Sequence, residues 1–247
     1  MDASGPFEAP DITLVIPAWN EAARLPRLLD SVATARARYA GRVEVIVADN
    51  GSTDATAALA QAAGAQVVKV EKRCIAAARN GGAAVAQAPI LAFVDADSVL
   101  HPDVFTAVAA AMSRPATLGG ASRVTMERWS VGIALTFALM VPLVWLSGFD
   151  TGLVFWRRDD FNAIGGYDES RLFAEDIDLL WRLRRLGRPR GQKLVRLRGV
   201  RTITSTRKFD VRGDWHYLTQ MPVIGWKLLR DHRTANDFAR KYWYEGR

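Results

Sequence analysis

Cysteine is nearly absent from this chain of 247 residues: Cys74 stands alone. An internal disulfide framework and a cysteine-built zinc site are both excluded. Histidine is almost as scarce, and His101, His216 and His232 leave little material for a histidine-built metal centre. The first apolar run is followed by PAWNE, which has no glycine. The Gly-rich phosphate loop with a basic residue expected of a nucleotidyltransferase is therefore missing. No G-x-G-x-x-G follows any strand-like run, which excludes a Rossmann dehydrogenase. The N-terminal MDASGPFEAPD has neither a basic start nor an apolar run. No secretory signal is expected, and the cytoplasm is the default compartment.

What is present is ordinary in bulk and uneven in detail. Hydrophobic residues make up 49% and charged residues 24%, enough to build a substantial core. Residues 1–180 carry 15 Lys+Arg against 21 Asp+Glu, whereas residues 181–247 carry 18 against 5. The basic C-terminal quarter points to a negatively charged partner or to a soluble Arg-rich surface. Trp226, Tyr242, Trp243 and Tyr244 add aromatics to it, but the acidic first 180 residues argue against a nucleic-acid-binding face.

The runs 12–16 (ITLVI), 43–48 (VEVIVA), 66–70 and 90–94 (ILAFV) read as strands. They alternate with helical patterns: Leu25, Leu28, Leu29 and Val32; the Ala-rich stretch 55–63, with Asp54 placed as its N-cap; and residues 75–87. This order predicts a mostly parallel α/β sheet covered by helices on both faces. Later elements are strands over 117–125 and 151–157, a short helix after Arg158, the loop Gly165-Gly166-Tyr167-Asp168, and an amphipathic helix over 175–187. Residues 1–10 are expected to form a loose tail. A single domain covers 11–222, with halves at about 11–115 and 116–222, and residues 223–247 form an amphipathic helix.

From Trp129 to Phe149 the chain has 21 residues without a charge, which meets the length criterion for a membrane span. Pro142 interrupts the stretch, and Ser130, Thr136 and Ser147 dilute it. Spanning would also separate the 95–98 and 175–178 carboxylates. A buried helix, an interfacial helix touching lipid and, least favoured, a true span are the alternatives left open.

Parallel sheets bind ligands beyond the carboxyl ends of their strands, where the polar clusters 17–21, 49–54 and 95–98 fall. Asp95-Ala96-Asp97 follows ILAFV. In an extended chain these two carboxylates would sit roughly 6.6 Å apart along the strand. That spacing suits a division of labour in which one carboxylate holds a divalent metal and the other meets a hydroxyl. Oxygen ligands favour Mg²⁺ or Mn²⁺. Asp49 sits at a strand end, where it can accept a hydrogen bond from a nucleobase. Glu175, Asp176 and Asp178 crowd a helix start, where mutual repulsion favours a base and the helix dipole opposes it.

PAWNE, VADNGSTD, ARNGGAAVA followed by FVDADS, GGYDES and AEDIDLLWRL occur in the order found in family-2 glycosyltransferases, and the chain resembles that family over residues 12 to about 187. The resemblance implies the GT-A fold and an inverting enzyme using a nucleoside-diphosphate sugar and a divalent metal. It implies that Pro17, Ala18, Asn20, Glu21, Asp49 and Asn50 hold the nucleoside. Arg79 would lie near the base or diphosphate, Asp95 on the ribose side and Asp97 on the metal. Asp176 would be the catalytic base, with Glu175 next in line. Asp150 and Thr151 would help shape the acceptor pocket. Many relatives carry a metal-binding histidine after the last catalytic helix, and residues 192–206 contain none. The metal would rest on Asp97, diphosphate and water, while Arg196, Arg198, Arg201, Arg207 and Lys208 would neutralise the diphosphate or hold a phosphorylated acceptor. The expected acceptor is a hydroxyl or phosphate, with a polyprenyl phosphate or other lipid using the apolar segment and basic region together. That placement puts the protein on the inner membrane face. The alternative is a non-catalytic membrane-surface adaptor.

Overall fold

The computed structural model describes residues 9–147, 152–171 and 175–219. One eight-stranded sheet runs through it. Its strands are β1 (Ile12–Ala18), β2 (Val43–Asp49), β3 (Gln66–Lys69), β4 (Ile90–Phe93), β5 (Ser98–Val99), β6 (Thr117–Met126), β7 (Val154–Arg157) and β8 (Lys193–Thr204). The order across the sheet is β3-β2-β1-β4-β7-β6-β8-β5. Strands β3, β2, β1 and β4 are parallel. Strand β7 runs antiparallel to both β4 and β6, β6 pairs with β8 in parallel, and β5 lies antiparallel to β8. The sheet is thus mixed beyond β4.

Among the described residues, seven α-helices flank the sheet before β8: α1 (Leu25–Arg38), α2 (Thr56–Ala62), α3 (Ile75–Ala84), α4 (Val104–Met112), α5 (Val131–Ser147), α6 (Arg158–Ala163) and α7 (Glu175–Gly187). Another helix, α8 (Arg207–Arg212), follows β8. All seven residues of β1 are buried, as expected for a parallel strand covered on both faces. Ile12, Leu14 and Ile16 pack with Leu25, Leu28 and Val32 of α1 and with α4 on one side. Val15 packs with Ala76 and Ala77 of α3 and with Leu179 and Leu183 of α7 on the other. The alternation along β1 feeds two cores.

Helix α3 lies close on the sheet because of its small residues. A Cβ on Gly82 would fall 2.4 Å from Val15 Cγ1, and one on Gly81 would fall 2.6 Å from Val70 Cγ2. Glycine is required at Gly82 for approach, not for backbone conformation.

Helix α5 resolves the apolar stretch only in part. Gly132, Ile133 and Thr136 are buried, whereas Trp129, Val131, Leu135 and Leu139 are exposed. Spacing of four along a helix places Val131, Leu135 and Leu139 in one stripe. Among the described residues no helix is long and apolar enough to cross a membrane. Asp150 and Thr151 and the expected helix 223–247 lie outside the described residues, as does most of the 1–10 tail.

Asp54 differs in detail from its expected capping position. Helix α2 starts at Thr56 with Ala55 before it, and the Asp54 carboxylate accepts from the Thr56 and Ala22 backbone N–H groups at 3.0 and 3.1 Å. It caps the helix from one residue further out and also ties the loop after β1.

Candidate active site

The first cluster forms where β1 and β2 end side by side, with Ala18 in register with Asp49. Pro17 and Ala18 are the last residues of β1, and the Ala18 carbonyl accepts from Asn50 N at 2.8 Å. Asn20 turns the chain with φ +52°, a left-handed conformation that asparagine tolerates better than most residues. Its side-chain oxygen accepts from Thr53 N at 2.8 Å. Asp49 is buried and accepts from Ser52 N at 3.0 Å. Asn50 donates to the carbonyls of Val70 and Lys72 at 3.0 and 2.7 Å. That places Arg73, whose guanidinium lies 5.5 Å from the Trp19 ring. These side chains spend much of their hydrogen bonding on shaping the crevice.

The second cluster follows β4. Asp95, Ala96 and Asp97 do not continue the strand. The chain turns after Val94, with Ser98 N bonded to Asp95 O at 3.1 Å, so the extended-chain spacing does not apply. The turn still divides the two carboxylates. Asp95 faces Arg79 at 3.2 Å, and Asp97 faces Arg207 at 3.7 Å.

Arg79 is the centre of the site. It projects from α3 with its side chain only 9% exposed and meets three carboxylates from two distant segments: Asp95 at 3.2 Å, Glu175 at 3.2 Å and Asp176 at 2.8 Å. Burial works against its charge, but Asp176, Tyr167, Asp95 and Glu175 outweigh it. The guanidinium lies 5.0 Å from the Tyr167 ring, which is itself packed against Phe93, Trp156 and Phe161. The next residue, Asn80, pins the Tyr167 loop. It donates to Tyr167 O at 2.9 Å and to Glu169 at 3.0 Å, and it accepts from Tyr167 N at 2.9 Å. Arg182 of α7 donates to Asp178 and to the carbonyls of Ile164 and Gly166, each at 2.7 Å. The start of α7 is thereby fixed to the same loop. Burial pushes the Glu175 carboxyl up, Asp176 adds to this and Arg79 opposes it.

Arg207, at the start of α8, closes the site from the far end of the chain. Its fork spans both oxygens of Glu21 at 3.1 and 3.2 Å, and Glu21 is only 4% exposed. Asp97, with its side chain 19% exposed, shares the same arginine at 3.7 Å. Burial raises its pKa, Asp95 and Glu21 add to this, and Arg207 and Lys208 pull back. His216, further along the chain, is buried beside Arg212, and burial first and that charge second hold its pKa down. Among the described residues no three His, Cys, Asp or Glu side chains gather as a metal-holding group.

The sequence did not reveal the Glu21–Arg207 pair, the Tyr167 cover over Arg79 or the Asn80 pin. The motifs carrying them, PAWNE, ARNGG and GGYDES, were visible; their pairing was not.

The model of "Glycosyl transferase family 2" matches residues 13–176. Validoxylamine A glucosyltransferase from Streptomyces hygroscopicus subsp. jinggangensis is 36% identical over 120 residues, which is 43% of this chain and 26% of that protein. Pre-mycofactocin glycosyltransferase from Mycobacterium tuberculosis is 28% identical over 197 residues, or 73% of this chain and 40% of that one. The chain thus spans well under two thirds of either relative. Among solved structures, glucosyl-3-phosphoglycerate synthase from M. tuberculosis, in complex with Mn²⁺, UDP and glucosyl-3-phosphoglycerate, superposes with a TM-score of 0.58 at 21% identity, over 83% of this chain and 76% of that one. S. aureus TarS 1–349 in complex with UDP-GlcNAc gives 0.62 at 17% identity, over 80% and 59%. Both likenesses are to the GT-A fold of glycosyltransferases. With that fold, and with the family model spanning most of the sheet and its acidic cleft, the chain belongs to glycosyl transferase family 2.

Proposed function

We propose that this glycosyltransferase moves a sugar from a nucleoside-diphosphate sugar to an acceptor hydroxyl or phosphate by a single displacement with inversion. The observation that carries the reading is the Arg79 junction, which brings Asp95 and Asp176 into one cleft from segments 81 residues apart. Asp49, Asn50, Asn20 and the ends of β1 and β2 form the nucleoside end. Asp176 takes the acceptor proton as the acceptor oxygen attacks the anomeric carbon. The sugar–phosphate bond breaks, and the nucleoside diphosphate leaves on the opposite face. Arg207 and Lys208, whose charges act on Asp97, would help balance its charge.

A divalent metal fits the donor set. Asp97 offers a partly exposed carboxylate with the carboxylates of Asp95 and Glu21 acting on it, and hard oxygen donors suit Mg²⁺ or Mn²⁺. Asp97 would hold it, with diphosphate and water completing the coordination. When bound, such an ion supplies Lewis-acid stabilisation of the leaving diphosphate.

The exposed stripe Val131, Leu135 and Leu139, with Trp129 beside it, supports a lipid-linked acceptor reached at the cytoplasmic membrane face. No relative supports the adaptor alternative.

The test is a donor panel: release of nucleoside diphosphate from UDP-, GDP- and dTDP-sugars, with and without lipid extract. Release from one donor class, raised by an acceptor, is the expected result. No release and no nucleotide binding across the panel overturns the reading. Flotation with anionic liposomes tests the membrane component separately, and a chain left in the bottom fraction removes it.

A further inference from the structure

The geometry points to Arg79 as a positioning residue that acts through Asp176, and not as a contact to the nucleotide's base or diphosphate. This rests on the transfer reading above. Transfer demands that the base and the donor be held at a fixed separation, and the groups concerned come from unrelated segments. Asp176 sits in the first turn of α7 with its side chain 37% exposed; a carboxylate so placed has several rotamers open to it. Arg79 Nη1 holds one oxygen, Oδ1, at 2.8 Å, and the other oxygen is not used by Arg79. The opposite prong, Nη2, holds Asp95 Oδ1 at 3.2 Å. One planar guanidinium therefore sets the distance from the base to the turn that carries Asp97.

The guanidinium is poorly placed for a second duty. Its side chain is 9% exposed, both terminal nitrogens already donate to carboxylates, and Tyr167 stands at its face. Of the five N–H donors of a guanidinium, three point to carboxylates of the protein, and Nε is enclosed without a hydrogen-bond partner among the described residues, out of a ligand's reach. Lysine offers the charge without the fork, so the two roles separate by substitution.

The experiment compares wild type with Arg79→Gln, Arg79→Lys and Arg79→Ala. UDP release from UDP-glucose and UDP-N-acetylglucosamine gives turnover, and calorimetric titration with UDP and Mn²⁺ gives nucleotide affinity. Near-UV circular dichroism reports folding. Turnover of Arg79→Gln and Arg79→Lys should fall about 100-fold, the scale of a misplaced reacting group. The UDP dissociation constant should stay within about threefold, since a loss confined to turnover marks an interaction not used in ground-state binding. Millimolar guanidinium should restore part of the turnover of Arg79→Ala. If Arg79→Gln and Arg79→Ala fail to fold, Arg79→Lys carries the test alone. Arg79→Lys with wild-type turnover overturns the assignment, as does UDP affinity falling in step with turnover. A wild-type chain that binds no UDP and cleaves neither donor overturns the transfer reading for these donors and this assignment with it.

Discussion

Glu21 and Arg207, 186 residues apart in the chain, form a two-pronged ion pair at 3.1 and 3.2 Å. It fastens α8 to the loop after the first strand. Glu21 is almost fully enclosed, and removing one partner of such a pair costs about 3–5 kcal/mol because the other stays buried and uncompensated. Urea unfolding of Arg207→Met should show a loss at the lower end of that range, since the arginine itself keeps some solvent contact. A change smaller than about 0.5 kcal/mol, the scale of an ordinary surface substitution, would mean that the pair is not formed in solution.

Asp176→Asn should cut sugar transfer by about 10²–10⁴, the range for loss of a positioned general base, while UDP binding persists. Glu175→Gln should cost less, since Glu175 is buried behind Asp176 and shares Arg79 with it. Steady-state rates at saturating donor decide between the two. The reverse ranking would move the base to Glu175.

Asp97→Asn should weaken Mn²⁺-dependent UDP binding and leave metal-free binding little changed. Calorimetric titrations with Mn²⁺ and with chelator give the comparison. Equal UDP affinity with and without metal in the wild type would remove the ion from the donor site.

Glu169 supplies a test in pH. Hydrogen bonds from Lys72 and Asn80 hold its carboxyl below the ordinary value. A carboxylate depressed on folding contributes stability above its unfolded pKa, about 4.3, and that contribution fades as pH falls through the folded value. The difference in melting temperature between wild type and Glu169→Gln should be level above pH 5 and shrink below pH 4. A difference that grows on acidification would contradict the ion pair with Lys72.

The first half of the sheet was legible because β1, β2 and β4 are buried runs rich in β-branched and apolar residues, with helices between them. The order of the polar clusters at their ends carried the site. Strand β8 was not legible. Arg196, Arg198 and Arg201 make KLVRLRGVRTIT read as a basic stretch, and the alternation breaks at Gly199, where φ is +91° and the pairing with β6 slips between Ser122 and Arg123. Helix α4 was unmarked, for its nine residues, VFTAVAAAM, follow the carboxylate turn with no distinctive signal. The Asp95–Asp97 turn was hidden because a short D-A-D gives no backbone cue to distinguish turn from strand. The pairing of Arg207 with Glu21 depends on how the last strand returns across the sheet, and no local periodicity encodes that.

The absence of clearance between Gly82 and Val15 has a consequence for anyone reshaping this protein. The helix that carries Arg79 rests with its Gly82 backbone directly on the Val15 side chain, so any side chain added at position 82 has to lift that helix off the sheet. On the proposed reading, a change of donor preference therefore starts at Trp19, Arg73 and the 50–54 loop, where atoms can be exchanged without lifting a helix.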